Sequence, residues 1–225
     1  AGSTWDGQDH MIRDAAANDP RSLQKKIGPS GIGTPCDRRI GYQLLEVEPV
    51  NTDVDPWASV VGRSIHAWLA DVFTQANRDK TVEWLVEHRV EVRPGMTGNA
   101  DLFYRPWATS IDWKFPGDTA MKRIRLAGPD RQYRIQGQSY GVGWLRRGLV
   151  PRWIATVFVP RTGRITDMTV HTEDFNPAMA AEALTRLDSI GQLTTVAGRA
   201  ALPLLRRDDA YCSWCPWYMP GATDP

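Results

Sequence analysis

The sequence predicts an α/β fold, a mixed central sheet flanked by helices. Three observations carry the prediction. Segments of helical and strand periodicity run in the order helices, three strands, helix, two strands, helix. Two long apolar-periodic stretches each open on a capping residue followed by proline, at Asp55-Pro56 and Asn176-Pro177. No internal repeat or low-complexity linker divides the 225 residues, so the length fits one domain of good size.

In chain order, residues 1–35 are polar and interrupted by glycine and proline, with one short helix near Met11–Asn18. Ile40, Leu44 and Leu45 give Cys36–Glu46 helical spacing. Asp55 as N-cap and Pro56 at the first helical position open an amphipathic helix to about Asn77. Its predicted buried stripe is Val60, Ile65, Trp68, Leu69, Val72 and Phe73. Thr81–Val92 reads as a strand through the alternation of Val82, Trp84, Val86, then Val90 and Val92. Strands follow at about 97–105 and 108–114, with Pro106 at the turn between them. Phe115–Pro129 reads as a loop punctuated by glycine and proline, and a helix covers about Asp130–Gly148. Arg152–Pro160 and Arg164–His171 form a hairpin around Thr162-Gly163. The last helix runs from Asn176-Pro177 to about Val196, and 197–225 is irregular.

Composition narrows the class. Hydrophobic content of 42% and charged content of 24% are ordinary for a globular protein. The net charge is +1, so any nucleic-acid binding must come from local clustering of the 27 lysines and arginines. No run of 18 apolar residues and no signal-peptide order is present, so no membrane partner is expected. Three cysteines without a secretory signal argue for a reducing, cytoplasmic compartment and against a disulfide framework. Ten tryptophans suit an aromatic core, with a few available to stack on unpaired bases. No phosphate-binding loop or dinucleotide fingerprint appears, so no nucleotide cofactor is expected.

The chemistry concentrates in Gly98-Asn99-Ala100-Asp101 and Ile111-Asp112-Trp113-Lys114. Strand side chains alternate faces, so Asp112 and Lys114 point to one side, where Asp101 from the neighbouring strand can meet them. Two carboxylates hold a hard cation by oxygen, and an ammonium beside them stabilises charge on a phosphate. His66, in the long helix, is a candidate further ligand, and the carbonyl of Trp113 lies between the two inward-facing side chains. Gln136 and Tyr140, four apart, share one helical face and are placed to hydrogen-bond a phosphate or fix Lys114. Lys122, Arg123, Arg125, Arg131 and Arg134, then Arg146, Arg147 and Arg152, flank these elements. With Trp107, Trp113 and Tyr133 nearby they suit a DNA backbone. His10, His88 and His171 have no partner pattern.

Together, His66, Asp101, Asp112-Trp113-Lys114 and Gln136…Tyr140 resemble the RecB/Cas4-like (AddB-type) branch of the PD-(D/E)XK nuclease superfamily. One departure is visible: members often carry a glutamate shortly after the histidine, where Ala67, Trp68, Leu69, Ala70 and Asp71 stand here. The resemblance implies a nuclease core over about 56–171, with Asp101, Asp112 and His66 binding Mg²⁺ or Mn²⁺. Lys114 would then serve phosphodiester hydrolysis, and Gln136 and Tyr140 would position the strand. It implies a DNA exonuclease acting on single-stranded or end-containing DNA in recombination, repair or phage replication. A structure-specific endonuclease and a non-catalytic DNA-binding or CRISPR-adaptation Cas4-like module are the alternatives, and a homo-oligomer is compatible with each.

Cys212 and Cys215 have metal-hook spacing, and Cys36 precedes them by 176 residues. In the resembling branch, cysteines on both sides of the core bind a 4Fe–4S cluster that joins the N-terminal segment (here 30–46) to the C-terminal one (197–225). The fourth cysteine of that pattern is missing. A non-cysteine ligand such as Asp224, a zinc ion, or no metal with the cysteines as small apolar residues are the competing readings.

Overall fold

The computed structural model describes residues 6–19, 26–51, 55–78, 83–209 and 212–219. Val82 and Asp224, named above, lie outside them. Three helices come first: α1 (Asp6–Ala17), α2 (Asp37–Leu44) and α3 (Trp57–Ala76). Strands β1 (Trp84–Arg93), β2 (Met96–Tyr104) and β3 (Thr109–Lys114) follow, then α4 (Asp118–Ala127) and α5 (Arg131–Arg146). Strands β4 (Trp153–Phe158) and β5 (Thr169–Asp174) precede α6 (Pro177–Ala197). The sheet runs β1-β2-β3-β4-β5 and is antiparallel except between β3 and β4. A parallel pair needs a crossover, and α4 with α5 supplies it. This is the mixed, helix-flanked sheet expected. No described helix is long and apolar enough to cross a membrane.

Three expectations are corrected. The stretch between Phe115 and Pro129 is not all loop: Gly117 and Gly128-Pro129 bracket α4, whose Met121 and Ile124 are buried against Phe158. The punctuation bounded a short helix instead of excluding one. The second strand of the hairpin begins at Thr169, not Arg164, because Ile165–Asp167 form a 3₁₀ turn. In α3 no residue is fully buried; Trp68 is 60% and Val72 40% exposed. Helix α3 touches the sheet mainly along β1, a contact narrower than its apolar stripe. Phe73 makes that contact, with its ring against Trp84 and Trp113.

Helix α5 lies flush on the sheet because it carries glycine where it meets β4. A Cβ on Gly137 would come within 2.6 Å of Ile154, and one on Gly141 within 2.6 Å of Phe175. This close approach delivers Gln136, the residue before Gly137, to β3. One core cluster lies between α5 and the β1–β2 hairpin, built from Leu85, Val90, Ala100, Phe103, Tyr140 and Trp144. A second joins α2, α5, α6 and the C-terminal 3₁₀ turn through Ile32, Ile40, Ile135, Leu187 and Leu202, among others.

The N- and C-terminal segments meet directly. Trp217 stacks on Tyr42 at 5.6 Å and donates its Nε1–H to the Val47 carbonyl at 2.7 Å. Val50 and Asn51 donate backbone N–H groups to Pro216, and Asp37 and Arg38 donate theirs to Arg206.

Candidate active site

The site is a row of acids crossing three strands. Val86 pairs with Leu102 and His88 with Ala100, so the register sets Glu87 beside Asp101. Leu102 pairs with Ile111, so Asp101 in turn lies beside Asp112. Helix α3 brings His66 over the row, with Nδ1 3.5 Å from Asp101 Oδ2 and the ring edge-on to Phe115. His66, Glu87 and Asp101 each offer a ligand atom within 4.8 Å of the others, the one such set among the described residues.

Asp112 is 3% exposed. Gln136 donates Nε2–H to its Oδ1 at 3.1 Å, and the Lys114 ammonium pairs with its Oδ2. That oxygen is sealed from solvent, and the Lys114 ammonium is its charge partner. Asp101 Oδ2 accepts the Trp113 N–H at 2.8 Å, which clips β2 to β3 at the centre of the motif. Lys114 also lies 5.8 Å from the centroid of Tyr133.

The charge balance is unfavourable without a cation. Burial, then the neighbouring Asp112 carboxylate, push the Asp101 carboxyl well above the usual range, against the opposing pull of Lys114 and the Trp113 N–H. A divalent ion at the row would replace that proton. The donor set, carboxylate oxygens with one imidazole, suits Mg²⁺ or Mn²⁺.

The structure thus brings His66, Asp101, Asp112, Trp113, Lys114 and Gln136 together. Tyr140 is 6% exposed and its ring packs in the cluster with Phe103 and Trp144. Glu87 was not anticipated. It supplies beside His66 the carboxylate absent from the sequence after it, and at φ +50° it holds a left-handed conformation in mid-strand. A hairpin folded symmetrically about Pro94-Gly95 would set position 88 against Asp101. The register shift between Glu91 and Arg93 sets Glu87 there instead.

The basic residues of α4 and α5 are largely engaged. Arg123 pairs with Asp130 at 2.6 Å, Arg131 with Glu182 at 3.1 Å and Arg134 with Glu173 at 2.6 Å. Arg125 donates to the Asp167 carbonyl at 2.7 Å, while Lys122 is exposed on α4. Arg146 pairs with Glu91 at 3.3 Å.

The cysteines Cys36, Cys212 and Cys215 line one cleft of about 460 Å³ at the junction of the terminal segments. Their sulfurs do not gather within 4.8 Å of one another. Burial, then Asp209, whose Oδ1 lies 3.7 Å from Cys212 Sγ, raise the Cys212 thiol and hold it protonated.

No family model matches the chain, and no curated protein matches it. Several solved structures do. An alkaline exonuclease from Laribacter hongkongensis, LHK-Exo, aligns over 82% of this chain and 97% of its own, with TM-score 0.53 and 13% identity. The same exonuclease in complex with dAMP aligns over 79% and 94%, with TM-score 0.51 and 15% identity. A phage-related exonuclease from Haemophilus somnus 129PT covers 72% and 82%, with TM-score 0.46 and 16% identity. At such identities the likeness to LHK-Exo is one of fold alone.

Proposed function

We propose that this chain is a divalent-metal-dependent DNA exonuclease. The observation that carries the reading is the row Glu87–Asp101–Asp112, running from exposed Glu87 to buried Asp112, with His66 at one end and Lys114 at the other. Structural neighbours named as exonucleases support the substrate and the reaction class. Asp101 and Asp112 hold Mg²⁺ or Mn²⁺, with His66, Glu87 and the Trp113 carbonyl as further ligands. The ion supplies positive charge at the scissile phosphate and makes a water nucleophilic near neutral pH. Lys114 neutralises charge that develops on the phosphoryl oxygens. Gln136 fixes one oxygen of Asp112 and leaves the other facing the ion and the ammonium. Tyr140 acts by seating α5, and so Gln136, on the sheet. Lys122, Arg123, Arg125, Arg131 and Arg134 bind the DNA backbone, with spare N–H groups of the paired guanidiniums reaching phosphates.

The reading extends to the RecB/Cas4-like branch, with an iron–sulfur cluster or zinc held by Cys36, Cys212 and Cys215 as a structural staple. The shared cysteine cleft supports it. Iron, sulfide and zinc content of anaerobically purified protein tests that part separately.

For the central reading, DNA digestion in Mg²⁺ or Mn²⁺ is compared among the protein, its Asp112→Ala and Lys114→Ala variants, and an EDTA control. The expected result is loss of about 10²-fold or more in each variant and complete loss in EDTA. A folded Asp112→Ala variant that still degraded DNA would overturn it.

A further inference from the structure

The turn between β2 and β3 carries a feature that the hydrolytic site does not use. Trp107, in the 3₁₀ turn Arg105–Trp107, is 71% exposed. It is nonetheless firmly mounted, as the outer end of a ladder of rings. Trp107 meets Tyr104 edge-on at 5.4 Å, Tyr104 stacks on Trp84 at 4.1 Å, and Trp84 meets Phe73 at 4.8 Å. Phe73 in turn meets Trp113, the residue between Asp112 and Lys114, at 5.8 Å. Exposing a large aromatic face on a rigid support costs hydration free energy that a partner would recover.

Guanidiniums are carried on this turn and on the segments beside it. Arg105 begins the same turn, and Arg152 is tied to it by its backbone N–H to the Ala108 carbonyl at 2.7 Å, with its side chain over Trp153. Arg147, at the end of α5, donates to the Arg89 carbonyl. All three are exposed, and none forms an ion pair with a described carboxylate, in contrast to Arg123, Arg131 and Arg134. Their field is felt next door: burial, then Arg147 and Arg105, lower the His88 pKa. An exposed indole among unpaired guanidiniums matches the chemistry of unpaired nucleic acid, whose bases stack and whose phosphates are anionic. A duplex would offer the phosphates without the base faces.

We infer that Trp107, with Arg105, Arg147 and Arg152, is a stacking platform for single-stranded DNA continuous with the strand held at the acid row. Ala108, just before β3, precedes Asp112 by four residues, roughly 13 Å at ~3.3 Å per residue. The inference rests on the nuclease reading for the identity of the strand, and the platform's own test does not require turnover.

The test is binding of a dT oligonucleotide and of a blunt duplex, measured with Ca²⁺ present, for the protein and for Trp107→Leu, Trp107→Phe and Arg152→Ala, with Trp57→Ala as an exposed-tryptophan control. Trp107→Leu is expected to bind the single strand about tenfold more weakly. Trp107→Phe recovers most of that loss, and Arg152→Ala lowers the salt slope by about 0.7. Thermal melting verifies that each variant is folded. Single-strand affinity unchanged in Trp107→Leu, an equal loss for the blunt duplex, or a change of oligomeric state alone would each overturn the platform. Absence of DNA hydrolysis by the unmodified protein would overturn the nuclease reading instead, so the two failures are distinguishable.

Discussion

At the scale of single residues, Asp101 is the group on which proton and cation compete. Its raised pKa means that the folded protein, free of metal, holds the proton more tightly than the unfolded chain does. The resulting stability is complete below the ordinary aspartate range and is lost as pH rises through the raised value. Melting temperature in EDTA should therefore fall as pH is raised across that window. Saturating Mg²⁺ should restore it most at the high-pH end, where the proton no longer competes. Asp101→Asn removes the charge and should flatten the EDTA curve; a slope unchanged in that variant would assign the pH dependence to other groups. Glu87 belongs to the same balance. Glu87→Gln keeps the size and loses the charge, and Mn²⁺ affinity measured by calorimetry should drop about tenfold or more.

At the scale of elements, α5 decides whether the site assembles, and its glycines decide how α5 sits. Gly137→Ala inserts a methyl group within 2.6 Å of Ile154 and should cost about 1–3 kcal/mol in a denaturant titration. Hydrolysis should fall as well, because lifting α5 withdraws Gln136 from Asp112. Gly191→Ala in α6, where a Cβ would meet nothing within 4 Å, is the control and should stabilise by about 0.5–1 kcal/mol. Asp112, Lys114 and Gln136 were legible in the sequence because their meeting follows from local periods: two along a strand, and one glutamine on a helix that must cross back over it. Glu87 was not, since its place depends on a register shift in β1 and on a left-handed residue that no apolar pattern announces. The exposed outer face of α3 was not legible either. Apolar spacing shows that a helix has an apolar side, not how much of that side a five-stranded sheet can cover. Gln136 and Tyr140, four apart on α5, differ in what they touch: Gln136 donates to Asp112, and the Tyr140 ring packs with Val90 and Phe103.

At the scale of the whole molecule, the chain closes on itself through contacts between its two ends. Arg186 of α6 pairs with Asp37 and donates to the Ile32 and Thr34 carbonyls, and Trp217 caps Tyr42. Trp217→Ala should cost about 2–3 kcal/mol and speed proteolysis of the C-terminal segment. Hydrolysis below the melting temperature should persist, because the acid row is built from other elements. With a net charge of only +1, the proposed DNA engagement would rest on local groups, so affinity should fall steeply with salt without the protein behaving as a general polycation. The claim on which the rest depends is that the Glu87–Asp101–Asp112 row hydrolyses DNA from an end. The most direct measurement is release of mononucleotides in Mg²⁺ from a linear strand beside a covalently closed circle of the same sequence. The proposed exonuclease reading predicts release from the linear strand, none from the circle, and none from either with Asp112→Asn. Cleavage of the circle at a comparable rate, or release that survives Asp112→Asn, would contradict it.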